Sequence, residues 1–382
     1  MLLSDTCILE RILISEKRAV VPSHIASLKP YVAGKTIKEV VDAYHPDNIA
    51  KLASNENRLG CSPKVKEAAA RAVEIVNDYP DSAAIQLRTA IAEKYGLGIE
   101  NVVCGAGLEG VISLLMRTFV GEGEHTLTGS VTFAGWMIHA HIHGVETRQV
   151  PMTSDYRFDL DALADAINEN TKMVYIANPN NPTGTIITKA EFEAFMTKVP
   201  SDVLVIMDEA YYEFAQYEEG YPNSLDYKFD NVITLRTFSK AYGLAGFRVG
   251  YAMGPKVLIA HLLKAKLTFE PGVVGQAAAV AALGDMLFLM ATQNMVSAAR
   301  KRLQAFFDSR GVDYVPTYAN AVMMILPTAE EAAWFNEEML KRGVILRRLA
   351  GFGLPNGIRV TVGTDEQMTY FEESFDAVMA NR

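Results

Sequence analysis

The chain has 382 residues, of which 49% are hydrophobic and 21% are charged, values that are ordinary for a soluble globular protein. A chain of this length can bury a large core and form more than one compact unit. Its formal net charge of -9 gives no bulk attraction for a polyanion, so we expect no nucleic-acid partner.

Cysteine usage and hydropathy point to the cytoplasm. The three cysteines, Cys7, Cys61 and Cys104, are odd in number and lack motif spacing, which fits a reducing compartment. No apolar run approaches the roughly 18 residues of a membrane helix, so we expect no membrane span. The N-terminus carries Asp5 and Glu10 without a leading positive cluster, so it is not predicted to be a signal peptide.

Residues 1–47 are predicted to form an N-terminal arm and linker that partly joins a small domain. Apolar residues recur at helical spacing within residues 1–20 and predict one amphipathic helix. This helix either packs on the body of the protein or reaches across to another subunit. Pro22 and Pro30 then mark a linker.

Residues 48–270 are predicted to form a large, ligand-binding domain. Its first helices are expected at 63–76, where Ser62 is the N-cap and Pro63 takes the first position, and at 85–95. From residue 100 onwards short apolar strands alternate with helical patterns, which predicts an α/β fold with a mainly parallel sheet between helices. The strands are expected at 101–104, 124–128, 145–150, 172–177, 203–207, 232–236 and 248–253.

Residues 271–382 are predicted to form a smaller α+β domain. A long helical region runs from 274 to 310 with a break at Gly284-Asp285. Strand patterns at 321–326, 344–349 and 358–362 surround a helical pattern at 329–342.

A basic stretch at 236–248 contains Ser239, Lys240 and Arg248 among small residues, directly after a predicted buried strand. A lysine in this position, beside a hydroxyl and an arginine, is typical of an amine that forms a Schiff base while its neighbours hold an anion. A solvated basic turn explains this stretch equally well when it is considered alone.

Three other predicted strands are also followed by distinctive segments. They are Gly105-Ala106-Gly107, the Asn-Pro-Asn-Asn-Pro-Thr-Gly run at 178–184, and the Asp-Glu-Ala-Tyr run at 208–211. Ligands of open parallel sheets bind beyond the carboxyl ends of the strands, where all four segments would meet. An anion cradle, an amide, a carboxylate and an amine therefore converge at one edge.

Pyridoxal phosphate uses all of these groups. Its phosphate suits the backbone N–H groups of a helix N-terminus, here Gly107 to Glu109. Its aldehyde condenses with a lysine, and its pyridine nitrogen needs a carboxylate so that the ring can act as an electron sink. Asp208 would supply that carboxylate, although a helix N-cap before Ala210 is the alternative. The 178–184 run is either a plain turn or a rigid loop that presents an amide.

Two patterns point to other kinds of site. Residues 105–110 match the G-x-G-x-x-G fingerprint of nicotinamide-dependent dehydrogenases, but no acid ends the next strand, which finishes at Ser130. His139, His141 and His143 resemble a metal cluster, yet only the outer two share a helical face and no cysteine or carboxylate pattern accompanies them. We therefore predict neither a dehydrogenase nor a metal site.

The segments 178–184, 208–211 and 237–248 resemble those of fold-type-I pyridoxal-phosphate aminotransferases. More narrowly, the chain is similar to histidinol-phosphate aminotransferases over roughly residues 25–380. The segments that carry this narrower resemblance are 28–31, 52–57, 78–80, 351–355 and 359–364.

The resemblance implies a role for each matching residue of the cofactor site. Lys240 would form the Schiff base and then move a proton between the substrate Cα and the cofactor, and Asp208 would pair with the pyridine nitrogen. Asn181 and Tyr211 would contact the ring hydroxyl, and Phe133 would stack on the ring. The phosphate would be held by Ser239, Arg248, Gly107, Leu108 and Glu109.

The resemblance also implies a homodimer and a substrate site. Tyr79 would reach the phosphate of the neighbouring subunit's cofactor. Arg359 would hold the anionic group of the substrate, with Arg347, Tyr31 and Asn55 beside it. Surface charge for Arg347 and core packing for Tyr31 are the plainer interpretations.

The chain departs from the family at a few positions. The family usually has Ser-Asp-Glu where this chain has Leu108-Glu109-Gly110. It usually has proline at the positions of Arg58, Val131 and Arg348, two of which here add positive charge near the expected substrate side.

Together these observations predict an aminotransferase that moves an amino group between an L-amino compound and 2-oxoglutarate. The best single donor is L-histidinol phosphate. An aromatic amino acid is the alternative donor, and a non-catalytic protein that binds pyridoxal phosphate is the alternative from another class.

Overall fold

The computed structural model describes residues 20–30 and 34–382. The predicted helix at 1–20, apart from its last residue, and Tyr31 lie outside the described residues.

The helices and strands alternate along most of the chain. The helices are α1 (Ser23–Ala26), α2 (Ile37–Tyr44), α3 (Pro63–Val73), α4 (Ile85–Tyr95), α5 (Gly107–Phe119), α6 (Ala134–Ile142), α7 (Leu160–Asp165), α8 (Lys189–Met196), α9 (Tyr212–Ala215), α10 (Lys256–Ala265), α11 (Val273–Leu283), α12 (Met286–Arg310), α13 (Ala329–Lys341) and α14 (Asp365–Met379). The strands are β1 (Ala50–Lys51), β2 (Val102–Ala106), β3 (His125–Gly129), β4 (Glu146–Val150), β5 (Thr171–Ala177), β6 (Leu204–Asp208), β7 (Val232–Thr237), β8 (Val249–Met253), β9 (Asp313–Val315), β10 (Ala321–Ile325), β11 (Val344–Ile345), β12 (Arg347–Arg348) and β13 (Gly357–Thr361).

The central sheet has seven strands in the order β2-β8-β7-β6-β5-β3-β4. Strand β8 is antiparallel to both of its neighbours, and the other neighbouring pairs are parallel. Two reversals cancel, so β2 runs in the same direction as β7. Six strands therefore end at one edge, and β8 begins there. The predicted α/β fold with a mainly parallel sheet is confirmed.

Burial explains why the central strands read as apolar runs. Every residue of β6 and β7 is buried, as expected for strands that are covered by helices on both faces. In β2, Val103 packs into one core cluster with α5, whereas Cys104 packs into another with α4 and α11.

A close backbone approach fixes where α5 begins. A Cβ atom on Gly250 in β8 would lie 2.6 Å from the backbone nitrogen of Leu108. Only glycine leaves room for the first turn of α5 against β8. This contact holds the helix N-terminus at the edge where the other strands end.

A second sheet lies in the C-terminal part of the chain. Strands β12, β13, β10 and β9 form it in that order, all antiparallel, and α12, α13 and α14 contribute to the core cluster beside it. Strand β1 pairs in parallel with β11, so Ala50 and Leu52 belong to that same cluster.

The domain limits of 1–47, 48–270 and 271–382 stay a prediction, and two contacts bear on them. Residues of β1 pack in the core of the C-terminal part, as just described. In the other direction, α11 packs against α3 and α4, so that Ala278 shares a core cluster with Val65 and Leu87.

In residues 20–30 and 34–382, no single helix is both long enough and apolar enough to cross a membrane. Helices α11 and α12 meet the length and composition criteria only as a pair, across a bend of 80°.

A buried ion pair links the residue after β6, Glu209, to Arg236 in β7. The Arg236 guanidinium donates to the Glu209 carboxylate at 2.6 Å, and both side chains are fully buried. Arg236 also donates to Asn223 at 2.8 Å and lies over the Tyr212 ring. This pair fixes Glu209, the residue after Asp208, to the neighbouring strand.

We expect Glu209→Gln to lower the free energy of unfolding by about 3–5 kcal/mol, because it leaves the buried Arg236 charge without its carboxylate. Urea unfolding followed by circular dichroism measures the loss. Glu67→Gln is the matched control, since Glu67 makes an exposed ion pair with Arg71 on α3 and should cost little. Equal losses in the two variants would contradict this account.

Candidate active site

A cavity of about 220 Å³ lies at the edge where the six strands end. Most of the predicted cofactor residues line it, whereas Gly107 lies beside it and Tyr79 does not reach it. The lining residues are Leu108, Glu109, Phe133, Ala177, Pro179, Asn181, Asp208, Ala210, Tyr211, Thr237, Ser239, Lys240, Ala245 and Arg248.

One end of the cavity is suited to an anion. Helix α5 begins at Gly107 without a side-chain cap, so its first N–H groups need other partners. Arg248, the residue before β8, donates to the Ala245 carbonyl at 3.1 Å and to Glu109 at 3.3 Å. Gly107 has φ +73°, and a Cβ atom there would lie 2.6 Å from the Arg248 guanidinium. Glycine therefore allows a cation to lie against the helix N-terminus.

Asp208 supplies a buried carboxylate at the end of β6. It accepts hydrogen bonds from the Tyr175 hydroxyl at 2.5 Å and from the Ala210 N–H at 3.0 Å. Burial raises the pKa of Asp208 to about 6, although both hydrogen bonds and the positive charge of Lys240 act to lower it. A cation placed beside this carboxylate would offset the cost of its burial.

Lys240 lies between the cavity and the segment before Asn55. Its Nζ donates to the Ser54 carbonyl at 3.2 Å and lies 5.8 Å from the centre of the Tyr211 ring. The Tyr211 oxygen accepts from the Asn55 amide at 2.8 Å, which leaves the phenol proton to donate to another group.

The 178–184 run is a tied-down loop. The Asn178 N–H donates to the Asp208 carbonyl at 2.8 Å, and the Asn178 side chain accepts from the Ile187 N–H at 3.0 Å. The Asn180 side chain is buried and accepts from the Thr132 hydroxyl at 2.8 Å. The Asn178–Pro179 and Asn181–Pro182 peptide bonds are both cis. The hydrogen bonds of Asn178 and Asn180 favour the rigid loop over the plain turn.

Two arginines lie beyond this loop, on neighbouring strands. Arg359 in β13 is buried and donates to the Asn181 side-chain oxygen and, at 2.7 Å, to the Ala53 carbonyl. Arg347 in β12 is directly opposite Arg359 in the antiparallel register, so both side chains project from the same face of the sheet. One hydrogen bond connects Arg359 to the cavity through Asn181.

Arg58 and Arg348, which stand where the family usually has proline, have different surroundings. Arg348 alternates to the opposite face of β12 from Arg347, since successive strand residues alternate. Arg58 lies 3.7 Å from the Glu56 carboxylate and donates to Gln367 at 3.4 Å.

Tyr79 lies outside the cavity on an exposed apolar surface. Its side chain is 81% exposed, and its ring stacks on Phe269 with ring centres 4.2 Å apart. Val76 and Leu267 are also exposed nearby in the sequence. Exposed apolar surface of this kind is typical of a protein interface.

The residues that sequence reasoning missed are the ones that hold the predicted ones in place. Tyr175 donates to Asp208, and Thr361 both accepts from the Asn55 N–H and donates to its side chain, each at 3.0 Å. A tyrosine within a buried apolar strand signals a hydroxyl that needs a partner. The identity of that partner depends on strand register, which the sequence pattern does not give.

The two other patterns have structural explanations. Strand β2 and the next strand, β3, are not neighbours in the sheet, so the glycine pattern at 105–110 is not part of a dinucleotide-binding βαβ unit. His141 is hydrogen-bonded to the His24 carbonyl at 2.7 Å, and His143 to Ser113 at 2.9 Å. Among the described residues, no group of three or more His, Cys, Asp or Glu side chains is arranged to hold a metal ion.

Comparisons with known proteins agree with this geometry. Residues 47–375 match the family described as aminotransferase class I and II. The chain is 43% identical over 346 residues to a histidinol-phosphate aminotransferase of Anaeromyxobacter sp. (strain Fw109-5), covering 90% of this chain and 94% of that protein. It is 42% identical over 349 residues to histidinol-phosphate aminotransferase 1 of Bacillus cereus, covering 91% and 93%.

Solved structures of aminotransferases share this fold. The histidinol-phosphate aminotransferase from Sinorhizobium meliloti, in complex with pyridoxal-5'-phosphate, has a TM-score of 0.87 at 28% identity, covering 96% of this chain and 99% of that one. A mutant aspartate aminotransferase of Thermus thermophilus shares the fold, with a TM-score of 0.81 at 22% identity. The chain therefore belongs to the class I and II aminotransferase family, and it is a fold-type-I, pyridoxal-phosphate-dependent aminotransferase of amino compounds and 2-oxo acids.

Proposed function

We propose that this aminotransferase exchanges an amino group between L-histidinol phosphate and 2-oxoglutarate. The observation that carries this proposal is the 43% identity to a histidinol-phosphate aminotransferase over 90% of the chain. The pair formed by Arg347 and Arg359 supports it, because arginine binds both phosphate and carboxylate groups in bidentate fashion. Family membership leaves no support for the dehydrogenase alternative.

The cavity residues fit pyridoxal phosphate. When bound, this cofactor supplies a ring that withdraws electrons from the substrate. The uncapped start of α5, with Arg248 and Ser239, would hold its phosphate, and Asp208 would pair with its ring nitrogen. Phe133 would stack on the ring, while Tyr211 and Asn181 would bind its hydroxyl. The raised pKa of Asp208, which burial causes, supports its pairing with a cation.

We propose that Lys240 holds the cofactor and then moves the proton of the substrate Cα. Its amine lies on the cavity wall, where the Ser54 carbonyl and the Tyr211 ring orient it. Arg359 donates to the carbonyl of Ala53, the residue before Ser54, so a substrate held by Arg359 would lie near this amine.

At the substrate end, we propose that Arg359 and Arg347 hold the phosphate or carboxylate group. Arg359 is already fixed by Asn181 and the Ala53 carbonyl, so its guanidinium is oriented before substrate binds. Asn55 donates to Tyr211, and we propose that it also contacts the substrate. The role of Tyr31 stays a prediction, because this residue lies outside the described residues.

We propose that the enzyme works in the cytoplasm as a homodimer in which Tyr79 completes the partner subunit's site. The exposed Tyr79 ring and its apolar surroundings support this arrangement. Tyr79 does not line the active-site cavity of its own chain. Its side chain is therefore available to contact the active-site cavity of the partner subunit.

A panel of amino donors with 2-oxoglutarate tests the substrate. We expect the highest kcat/KM for L-histidinol phosphate and a loss of at least about tenfold for L-histidinol, which lacks the phosphate and its charge-assisted hydrogen bonds. Arg347→Met should lower kcat/KM for the phosphorylated donor similarly, whereas Arg71→Met on the exposed face of α3 should not. Turnover of phenylalanine or tyrosine without turnover of histidinol phosphate would favour the aromatic alternative.

The pKa of Asp208 makes a prediction about stability without cofactor. The folded pKa of about 6 exceeds the ordinary value of 3.8, so the stabilisation from its proton is present at low pH and is lost as the pH rises through 6. We expect cofactor-free Asp208→Asn to become more stable than wild type by about 3 kcal/mol at pH 8, and by little near pH 4.

Urea unfolding of both cofactor-free proteins across this pH range measures the difference. Asp161→Asn is the control, because the Asp161 carboxylate is exposed on α7 and pairs with Lys198, so its removal should not make the protein more stable at pH 8. A constant difference between wild type and Asp208→Asn at every pH would contradict the prediction.

Mixed dimers test the role of Tyr79. A hybrid of Tyr79→Phe and Lys240→Ala chains contains one site that has both Lys240 and a partner's intact tyrosine. We expect that site to retain cofactor through gel filtration as wild type does, measured by visible absorbance, whereas the Tyr79→Phe homodimer should lose it faster. If the hybrid retains no more cofactor than the Tyr79→Phe homodimer, or the active enzyme is a monomer, the shared site is wrong.

A further inference from the structure

A second cavity, of about 680 Å³, lies apart from the candidate active site. The end of α4, the segment 212–218 and one face of α12 form its walls, so we call it the α12 cavity. None of its lining residues also lines the active-site cavity. Its volume is typical of sites that bind small molecules.

Two buried polar side chains in its wall each leave one atom without a hydrogen bond. Glu213 is 3% exposed, and its Oε1 atom has no partner among residues 20–30 and 34–382. Arg300 is 8% exposed; its Nη2 donates to Glu218 at 3.0 Å, whereas its Nη1 has no partner in the same part of the chain. Buried polar atoms in folded proteins almost always have partners. Glu213 and Arg300 both line the cavity, so its wall offers a ligand an acceptor and a donor whose hydrogen-bonding capacity the described residues do not fully meet.

The lining carries two cationic and two acidic side chains. Lys94 and Arg300 are cationic, and Glu213 and Glu218 are acidic. Gln293 donates to the Glu213 carbonyl at 2.6 Å, and Arg300 lies two helical turns farther along α12, about 10 Å away along the axis. Arg300 is paired with Glu218, and the lining as a whole presents charges of both signs, which favours a dipolar ligand over a net anion or a net cation.

The remaining wall is aromatic and apolar. Tyr95, Tyr212 and Tyr242 line it together with Met286 and Met290. Aromatic faces and methionine side chains bind flat rings well. Burial raises the pKa of Glu213 to about 7, although the nearby charge of Arg236 lowers it, so an ammonium partner would stabilise its charged form.

We propose that the α12 cavity is a second binding site, which takes a small zwitterion with an aromatic ring, either a free amino acid or a dipeptide. Its ammonium group binds Glu213 and its carboxylate binds Arg300. Helix α9 begins directly after Tyr211, which lines the active-site cavity. A ligand that contacts both Glu213 in α9 and Arg300 in α12 would therefore bridge α12 and the segment next to the active site. Binding at this site does not depend on the identity of the amino donor.

The test is calorimetry on holoenzyme whose Lys240 has been joined to its cofactor by borohydride, which blocks amine exchange in the active site. The probes are L-phenylalanine and glycyl-L-phenylalanine, with 3-phenylpropionate and phenethylamine as analogues that carry one charge only. We expect one zwitterion to bind a single site per chain at least about tenfold more tightly than either analogue. Whichever of the two zwitterions binds more tightly shows whether the ligand is a free amino acid or a dipeptide.

Variants locate the site. Glu213→Gln and Arg300→Met should each weaken the zwitterion at least about tenfold, and the exposed neighbour Lys301→Met should not change its affinity. Crystals of the wild-type enzyme soaked with the tighter probe keep the test decisive if a variant does not fold, and density between Glu213 and Arg300 is expected. The proposal is overturned if neither zwitterion binds at about 10 mM, if an analogue binds as tightly, if both variants keep wild-type affinity, or if the density lies elsewhere.

Discussion

The Asp208 carboxylate is held at the end of β6 with almost no access to water, and the candidate active site is arranged around this constraint. The Tyr175 hydroxyl and the Ala210 N–H satisfy its oxygens, yet burial still raises its pKa to about 6. A group of this kind is costly to keep charged until a cation lies beside it. The positive charge of the nearby Lys240 amine offsets part of that cost. We propose that the cofactor's ring nitrogen, when bound, offsets the rest.

Strand direction brings the other groups to the same place. The reversal of β8 puts its first residues at the edge where β2, β5, β6 and β7 end, so Arg248 meets the start of α5 rather than the far side of the sheet. The absence of a side chain at Gly107 and Gly250 lets helix, strand and guanidinium approach each other. An anion site, a carboxylate and an amine then share one small cavity.

Much of this arrangement was predictable, because buried parallel strands appear in the sequence as apolar runs whose ends can be recognised. Apolar runs located the strands, and the residues directly after them located Asp208, Asn181 and Lys240. What could not be predicted depends on register or on contacts between distant segments. The Tyr175 bond to Asp208, the Arg359 bond to Asn181 and the pairing of β1 with β11 are of this kind. So is the α12 cavity, since Glu213 and Arg300 come together only after α12 packs against the segment 212–218.

The hydrogen bond between Arg359 and Asn181 has a consequence for how the two ends of the site communicate. In the proposed assignment, Asn181 binds the cofactor's ring hydroxyl while its oxygen also holds the arginine that grips the substrate. An incoming phosphate or carboxylate competes with that oxygen for the guanidinium. Anion binding would thereby change the polarity around the ring before any bond to nitrogen is made or broken. In this assignment, the Asn181 amide would couple the occupancy of the anion site to the surroundings of the cofactor ring.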